Sequence, residues 1–174
     1  MWYVVQVRTG DELKIAERLQ REVKTGDEDI FVPLYERRKC IKGENKKVTS
    51  TLFPGYIFFQ TNEVEDMYRR LLKINAFTKL LKTGDCYTPI SPEEERFLRI
   101  LMGDDFVVEE SVGVIEGDQV FVKYGPLCGL EGSIVKINRH KRIAIVRADF
   151  MGGSREIKVG LEIIDKKPAG NKEH

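Results

Sequence analysis

GDQVFVKYGPLCGLEGSIVKINRHKRIAIV, residues 117–146, decides how the second half of this chain folds. Its apolar residues Val120, Val122 and Tyr124, then Ile134, Ile137, Ile143 and Ile145, recur mostly two apart. That is the period of half-buried strands. Between the runs stand Gly125, Gly129 and Gly132, residues that permit positive φ at sharp corners. A small curled antiparallel barrel is the economical solution for so short a unit. Such a barrel has too little interior for a catalytic cleft, so its rim and loops are where it acts.

Upstream the texture changes. Trp2 to Val7 is an aromatic and β-branched run suited to a buried strand. Residues 11–23 follow as a helix, with Leu13, Ala16, Leu19 and Val23 near one face. Residues 30–35 form a short strand, and the polar run 36–50 is a hairpin turning near Gly43-Glu44-Asn45. A strand over 56–60, a helix over 63–73 and a strand-like stretch over 77–82 come next. Ser91-Pro92-Glu93-Glu94 carries the spacing of a capping box with proline at the first helical position. Phe97, Leu98, Leu101 and Met102 then line one face, and Gly103 ends the helix. Strands and helices alternate up to residue 102, whereas only strands follow residue 113. Between them Asp104, Asp105, Glu109 and Glu110 meet no base. The expected division is therefore a domain over 1–102, an acidic linker over 103–113, a barrel over 114–166 and a flexible tail over 167–174.

The 174 residues allow one medium domain or two small ones, and 41% hydrophobic content is enough for real cores. No apolar run approaches the roughly 18 to 20 residues of a membrane span, and the start carries no export signal. Cys40, Cys86 and Cys128 are isolated and lack metal-type spacing, so they read as reduced packing thiols of a cytoplasmic protein. Only His140 and His174 are present, without a nucleophile elbow, a Cys/His constellation or a phosphate-binding GK[ST] loop. No enzyme, cofactor or metal is expected.

Net charge is only +1, but the charge is focused. Asn138-Arg139-His140-Lys141-Arg142 falls between two barrel strands, with Arg147, Arg155 and Lys158 beyond it. Either these residues keep a hairpin loop soluble, or they sit on nucleic-acid phosphates. A second basic run, Arg37-Arg38-Lys39 with Lys42, Lys46 and Lys47, decorates the first domain's hairpin and has few acids near it. On the first helix, Arg8, Lys14, Arg18 and Arg21 alternate with Asp11, Glu12, Glu17 and Glu22, the pattern of i,i+4 pairing on a wet surface. Phe53-Pro54-Gly55-Tyr56 leads into Ile57, Phe58 and Phe59, so aromatic side chains on both strand faces cannot all enter one core. Helices cover both sides of that sheet, or one face is left open as an apolar patch.

The 117–146 stretch resembles a KOW motif, the barrel unit of ribosomal proteins and of NusG-type transcription factors. MWYVVQVRTGDELKIAERL at the start, FVP at Phe31 to Pro33 and LFPGYIFFQ at Leu52 to Gln60 resemble the amino-terminal (NGN) domain of NusG. Together these segments cover roughly residues 1–166 in the family's order. The resemblance implies an α+β fold: an antiparallel sheet flanked by helices, followed by a small SH3-like five-stranded β-barrel. It implies a monomeric, non-enzymatic elongation or antitermination factor whose apolar patch seats on the clamp helices of RNA polymerase's largest subunit. Carried onto this sequence, that contact falls on Gln6, Tyr56, Phe58 and Leu80, with Gln6 polar where a specialised relative is aromatic. The helix bearing Arg69 and Arg70 aligns with the part facing the second-largest subunit. In housekeeping relatives the barrel turn and a later segment help bind the termination factor Rho or a ribosomal protein. Here those segments read GPLCGLEG at 125–132 and FMGGSREIKV at 150–159, departures that bring in Arg155 and Lys158. The whole is most similar to LoaP, a specialised NusG paralogue, which implies recognition of a structured RNA hairpin. A housekeeping NusG-type factor and a ribosome-associated KOW protein are the alternatives.

Overall fold

The structure, a computed structural model, describes residues 1–74, 79–80, 82–83 and 86–168. The chain opens with β1 (Trp2–Gln6), α1 (Glu12–Glu22), β2 (Asp29–Phe31), and a long hairpin of β3 (Leu34–Ile41) and β4 (Glu44–Thr51). β5 (Tyr56–Gln60), α2 (Val64–Leu72) and the short β6 (Lys79–Leu80), β7 (Lys82–Thr83) and β8 (Cys86–Tyr87) follow. After α3 (Pro92–Met102) come β9 (Val107–Val108), β10 (Ser111–Glu116), β11 (Gln119–Tyr124), β12 (Ile134–Asn138), β13 (Ile143–Phe150) and β14 (Gly153–Lys167).

The leading sheet has the order β2-β5-β1-β6, all antiparallel. Successive side chains of a strand point to opposite faces, and both faces here are apolar. Tyr3, Val5, Ile57 and Phe59 meet Ala16 and Leu19 of α1 and Met67 and Leu71 of α2. Trp2, Val4, Phe31 and Phe58 take the other face, where Leu98, Leu101 and Met102 of α3 join them. The capping box at the start of α3 forms as its spacing demands: Glu94 N donates to Ser91 Oγ at 3.1 Å and Ser91 N to Glu94 Oε2 at 3.0 Å.

β10 to β14 form a five-stranded sheet in the order β11-β10-β14-β13-β12, while β4-β3-β9 and β7-β8 make two smaller sheets. β14 serves both halves of it. Gly153 to Gly160 pairs antiparallel with β13, and Leu161 to Lys167 pairs with β10 in parallel. The fold class is α+β, as the sequence predicts, with one change of boundary. The acidic segment expected as a linker carries structure of its own. Val107 and Val108 add to β3 as a parallel strand, Phe106 stacks on Phe31 with ring centroids 3.8 Å apart, and residue 111 already begins β10. The acidic residues stay at the surface or half-buried while the apolar ones between them enter the core; Val108 is fully buried.

One apolar cluster runs continuously from the leading sheet into the five-stranded sheet, joining Trp2, Phe53 and Phe58 to Ala148, Phe150 and Ile157. β14 also crosses β3 so closely that a Cβ at Gly160 would lie 2.1 Å from the Glu36 carbonyl oxygen. Only glycine fits that crossing.

Candidate functional site

Tyr56 and Phe58 owe their placement to the turn before β5. Gly55 holds φ at +86° there, and its N–H donates to Glu12 Oε1 at 2.7 Å. Glu12 Oε2 accepts from Gly10 N at 3.0 Å, so one buried carboxylate ties the start of α1 to the turn. The sequence presents Glu12 as one acid among several on a wet helix; its role depends on a glycine 43 positions away. By contrast, the expected i,i+4 pairing appears at Arg18–Glu22, 3.3 Å apart.

The face bearing Tyr56 and Phe58 is covered, and not by helices alone. Phe150 of β13 stacks on Phe53 at 4.4 Å between centroids, stands edge-on to Tyr56 at 5.6 Å and contacts Phe58 at 5.7 Å. The Arg155 guanidinium lies 5.1 Å from the Tyr56 and Phe150 ring centroids and donates to the Tyr56 hydroxyl at 3.2 Å. Phe58 is fully buried and Tyr56 half-buried. The face that the sequence reading leaves either covered by helices or open as an apolar patch is covered in this arrangement by the five-stranded sheet together with α3. Gln6 is exposed at the end of β1, where Val5 pairs with Leu80 and Gln6 with Lys79 through the backbone; the Leu80 side chain lies outside the described residues.

The two arginines of α2 separate. Arg69 is exposed. Arg70 is an internal strut. Its guanidinium grips Glu28 at 2.6 and 2.8 Å and Asp66 at 3.0 Å, and also donates to the Val23 carbonyl. Burial opposes charge on Glu28, but the hydrogen bonds from Arg70, Thr25 and Thr61 outweigh it and hold the carboxyl at about 2.

The basic residues likewise sort into different places. On β13 and β14 the buried Val146, Ala148, Ile157 and Val159 mark the inward face, so Arg147 and Lys158 stand on the opposite, exposed one. Arg155 is engaged by the aromatic cover and is no free phosphate ligand here. Arg38 is tied to Glu110, with a 2.6 Å hydrogen bond from its backbone N–H and a 3.8 Å ion pair from its side chain. Lys39 is exposed. The 138–142 loop is a tight turn in which Asn138 Oδ1 accepts from Lys141 N at 3.0 Å and Arg142 takes a φ of +55°. Asn138, Arg139, His140 and Lys141 are exposed. Among the described residues none of Arg139, Lys141 and Arg142 has a carboxylate within 4.0 Å. Arg37 Nη1 donates to the Lys141 carbonyl at 3.2 Å. The two basic segments that lie far apart in the sequence thus meet along one seam.

A cleft of about 870 Å³ opens between the start of α3 and the β13–β14 hairpin, with Glu93, Phe97, Arg147, Asp149 and Ser154 among its walls. Glu94 Oε1 bridges its base by accepting from Gly152 N at 3.1 Å. No cluster of His, Cys, Asp and Glu able to hold a metal occurs among the described residues. Cys40 and Cys128 are free and exposed, where packing thiols were expected; Cys128 Sγ donates to the Val122 carbonyl at 3.6 Å.

An α+β sheet with a buried-edge aromatic turn, followed by a five-stranded β region, is the architecture of a class of non-enzymatic transcription factors. The model of the family described as "Transcription termination factor nusG" matches residues 1–99, and the chain belongs to the NusG family. It is 29% identical to the transcription termination/antitermination protein NusG of Staphylococcus carnosus, covering 95% of this chain and 94% of that one. The protein of the same name from Halalkalibacterium halodurans is 30% identical over 92% of this chain and 94% of its own. A solved structure of Thermotoga maritima NusG, concerned with domain interaction, superposes with a TM-score of 0.54 at 23% identity, covering 93% of each chain. That likeness bears on the fold.

Proposed function

We propose that this chain is a NusG-type transcription factor that holds RNA polymerase through the sheet face around Tyr56 and Phe58 and acts by changing how the enzyme pauses and terminates. The observation that carries this reading is the pair of aromatic faces on one sheet. One face is filled by α1 and α2 of the same unit, while Tyr56 and the Phe53 ring beside it on the other are met by Phe150 and Arg155 of the other sheet. A rigid apolar surface whose outer part can be unmasked is the groove side of helix-in-groove recognition. Gln6 stands exposed at its border, and the strand of Leu80 adjoins it. The polymerase clamp helices are the fitting occupant, and binding them requires Phe150 to move away. The relatives' name, transcription termination/antitermination protein, fits such a factor, and our reading makes it a cytoplasmic monomer.

The matched relatives are general NusG proteins, which supports a housekeeping factor; the departures at 150–159 are what a specialised member of the LoaP kind would rest on. Phe150 and Arg155 are engaged in the internal contact, and Arg139, Lys141 and Arg142 offer unpaired cations to a structured RNA. Tyr56→Asp is the test. It is expected to abolish co-purification of the full chain with core RNA polymerase while leaving the far-ultraviolet circular dichroism unchanged. Undiminished polymerase binding by a folded Tyr56→Asp protein would remove the patch from the proposal.

A further inference from the structure

Where the β3–β4 hairpin meets the 138–142 loop, two guanidinium groups are short of acceptors. Arg37 Nε and Arg142 Nη1 are both shielded from solvent without a hydrogen-bond partner among the described residues. A buried guanidinium N–H left unpaired costs more than a neutral one, so these two groups, on either side of the Lys141 carbonyl contact, mark a place where the fold does not supply enough acceptors of its own. The two belong to different sheets. Arg37 lies on β3 and reaches the Lys141 carbonyl, while the Arg142 carbonyl accepts from Leu161 N of β14 at 3.0 Å. The nearby acids are occupied: Glu110 by Arg38 and Glu36 by Lys47, with the Glu110 amide donating to Glu36. Arg37, Arg142 and the exposed Arg139 and Lys141 are left as a strip of cations without counter-charge.

We infer that this seam is a two-sided clamp for the phosphodiester backbone of a folded RNA, complete only while the five-stranded sheet stays docked on the β3–β4 hairpin. The inference rests on the RNA reading above and adds where and in which arrangement the RNA is held. Guanidinium forks suit phosphate oxygens, which accept two parallel N–H bonds. A ligand that touches both sheets stabilises their contact by the same factor by which that contact strengthens its binding. RNA and polymerase then draw on opposite arrangements of one molecule: RNA favours the covered sheet face, and the clamp helices need it bare.

The experiment titrates the full chain with a fluorescein-labelled RNA stem-loop and with its DNA counterpart, across a range of salt. Arg37→Ala and Arg142→Ala are each expected to weaken RNA binding roughly tenfold and to lower the salt slope by about one. Two further variants keep every cation but part the sheets from separate positions. Phe150→Ser removes the aromatic anchor, and Gly160→Ala forces the β14–β3 crossing apart. Either should weaken RNA binding to the extent that Arg37→Ala does, and Arg37→Ala added to Phe150→Ser should cost less than in the closed protein. Unchanged RNA affinity in the folded opened variants overturns the clamp while leaving RNA binding by the loop intact. A native chain that binds no RNA stem-loop overturns the RNA reading as well. A seam effect confined to the DNA stem-loop overturns the assignment to RNA.

Discussion

Arg70 shows what a charged side chain does when the fold closes around it. Its side chain is only 17% exposed and that of Glu28 11%, so neither ion is well hydrated and each depends on the other. Breaking such a pair leaves a shielded charge uncompensated. Arg70→Met is expected to lower stability by about 3 kcal/mol at neutral pH, measured by urea unfolding. The pH dependence has a definite sign. Glu28's folded value of about 2 lies below the usual 4.5. The stabilisation from its ionised form is therefore complete above about pH 4.5 and is lost as pH falls toward 2. The gap between wild type and Arg70→Met should narrow as pH falls from about 4.5 toward 2; a gap of constant size would show that Glu28 does not carry the effect. Arg69, one position earlier and exposed, should tolerate alanine with a change within about 0.5 kcal/mol.

At the scale of elements, α3 ties its own cap to the opposite sheet. Ser91 supplies only the helix cap, whereas Glu94 both closes the capping box and accepts from Gly152 N across the joint. Ser91→Ala should cost about 1 kcal/mol. Glu94→Ala should cost about twice that, because the Gly152 amide loses its acceptor too. Urea midpoints of the two variants decide it, and equal losses would mean that the bridge to Gly152 contributes nothing. The same helix marks what sequence can disclose. Four consecutive residues announced its start, because a cap is a local device. The consecutive Tyr56, Ile57, Phe58 and Phe59 likewise revealed a strand with two apolar faces. What covers each face was illegible, since apolar attraction carries no address. β9 escaped notice because two valines among acids form no run long enough to show a period, and its partner β3 lies some seventy positions back. The seam was beyond reach for the same reason: Arg37 and Lys141 stand 104 residues apart.

On the scale of the whole molecule, the sheet face that serves polymerase binding in our proposal is also the joint that holds the chain together. Binding the clamp helices then competes with an internal contact, and the observed affinity is the intrinsic one reduced by the fraction of molecules that are open. Phe150 sets that fraction more than any other side chain on its sheet, because its ring meets Phe53, Tyr56 and Phe58 at once. Truncating a buried phenylalanine removes about 3 kcal/mol, enough to raise a small open population by up to roughly a hundredfold before it saturates. Phe150→Ser should accordingly bind core polymerase more tightly than wild type, by tenfold or more, even though the substitution takes apolar surface away. Equilibrium titration of labelled protein with core polymerase reads this directly, and the increase in radius of gyration by small-angle scattering checks that the sheets have parted. Tyr56→Asp in the same background separates the causes. It opens the joint too, but places a carboxylate on the face that must seat the helices, so tight binding should vanish. Tighter binding by both variants would mean that polymerase uses a surface other than this sheet, and weaker binding by Phe150→Ser would mean that the closed arrangement is itself the one polymerase holds.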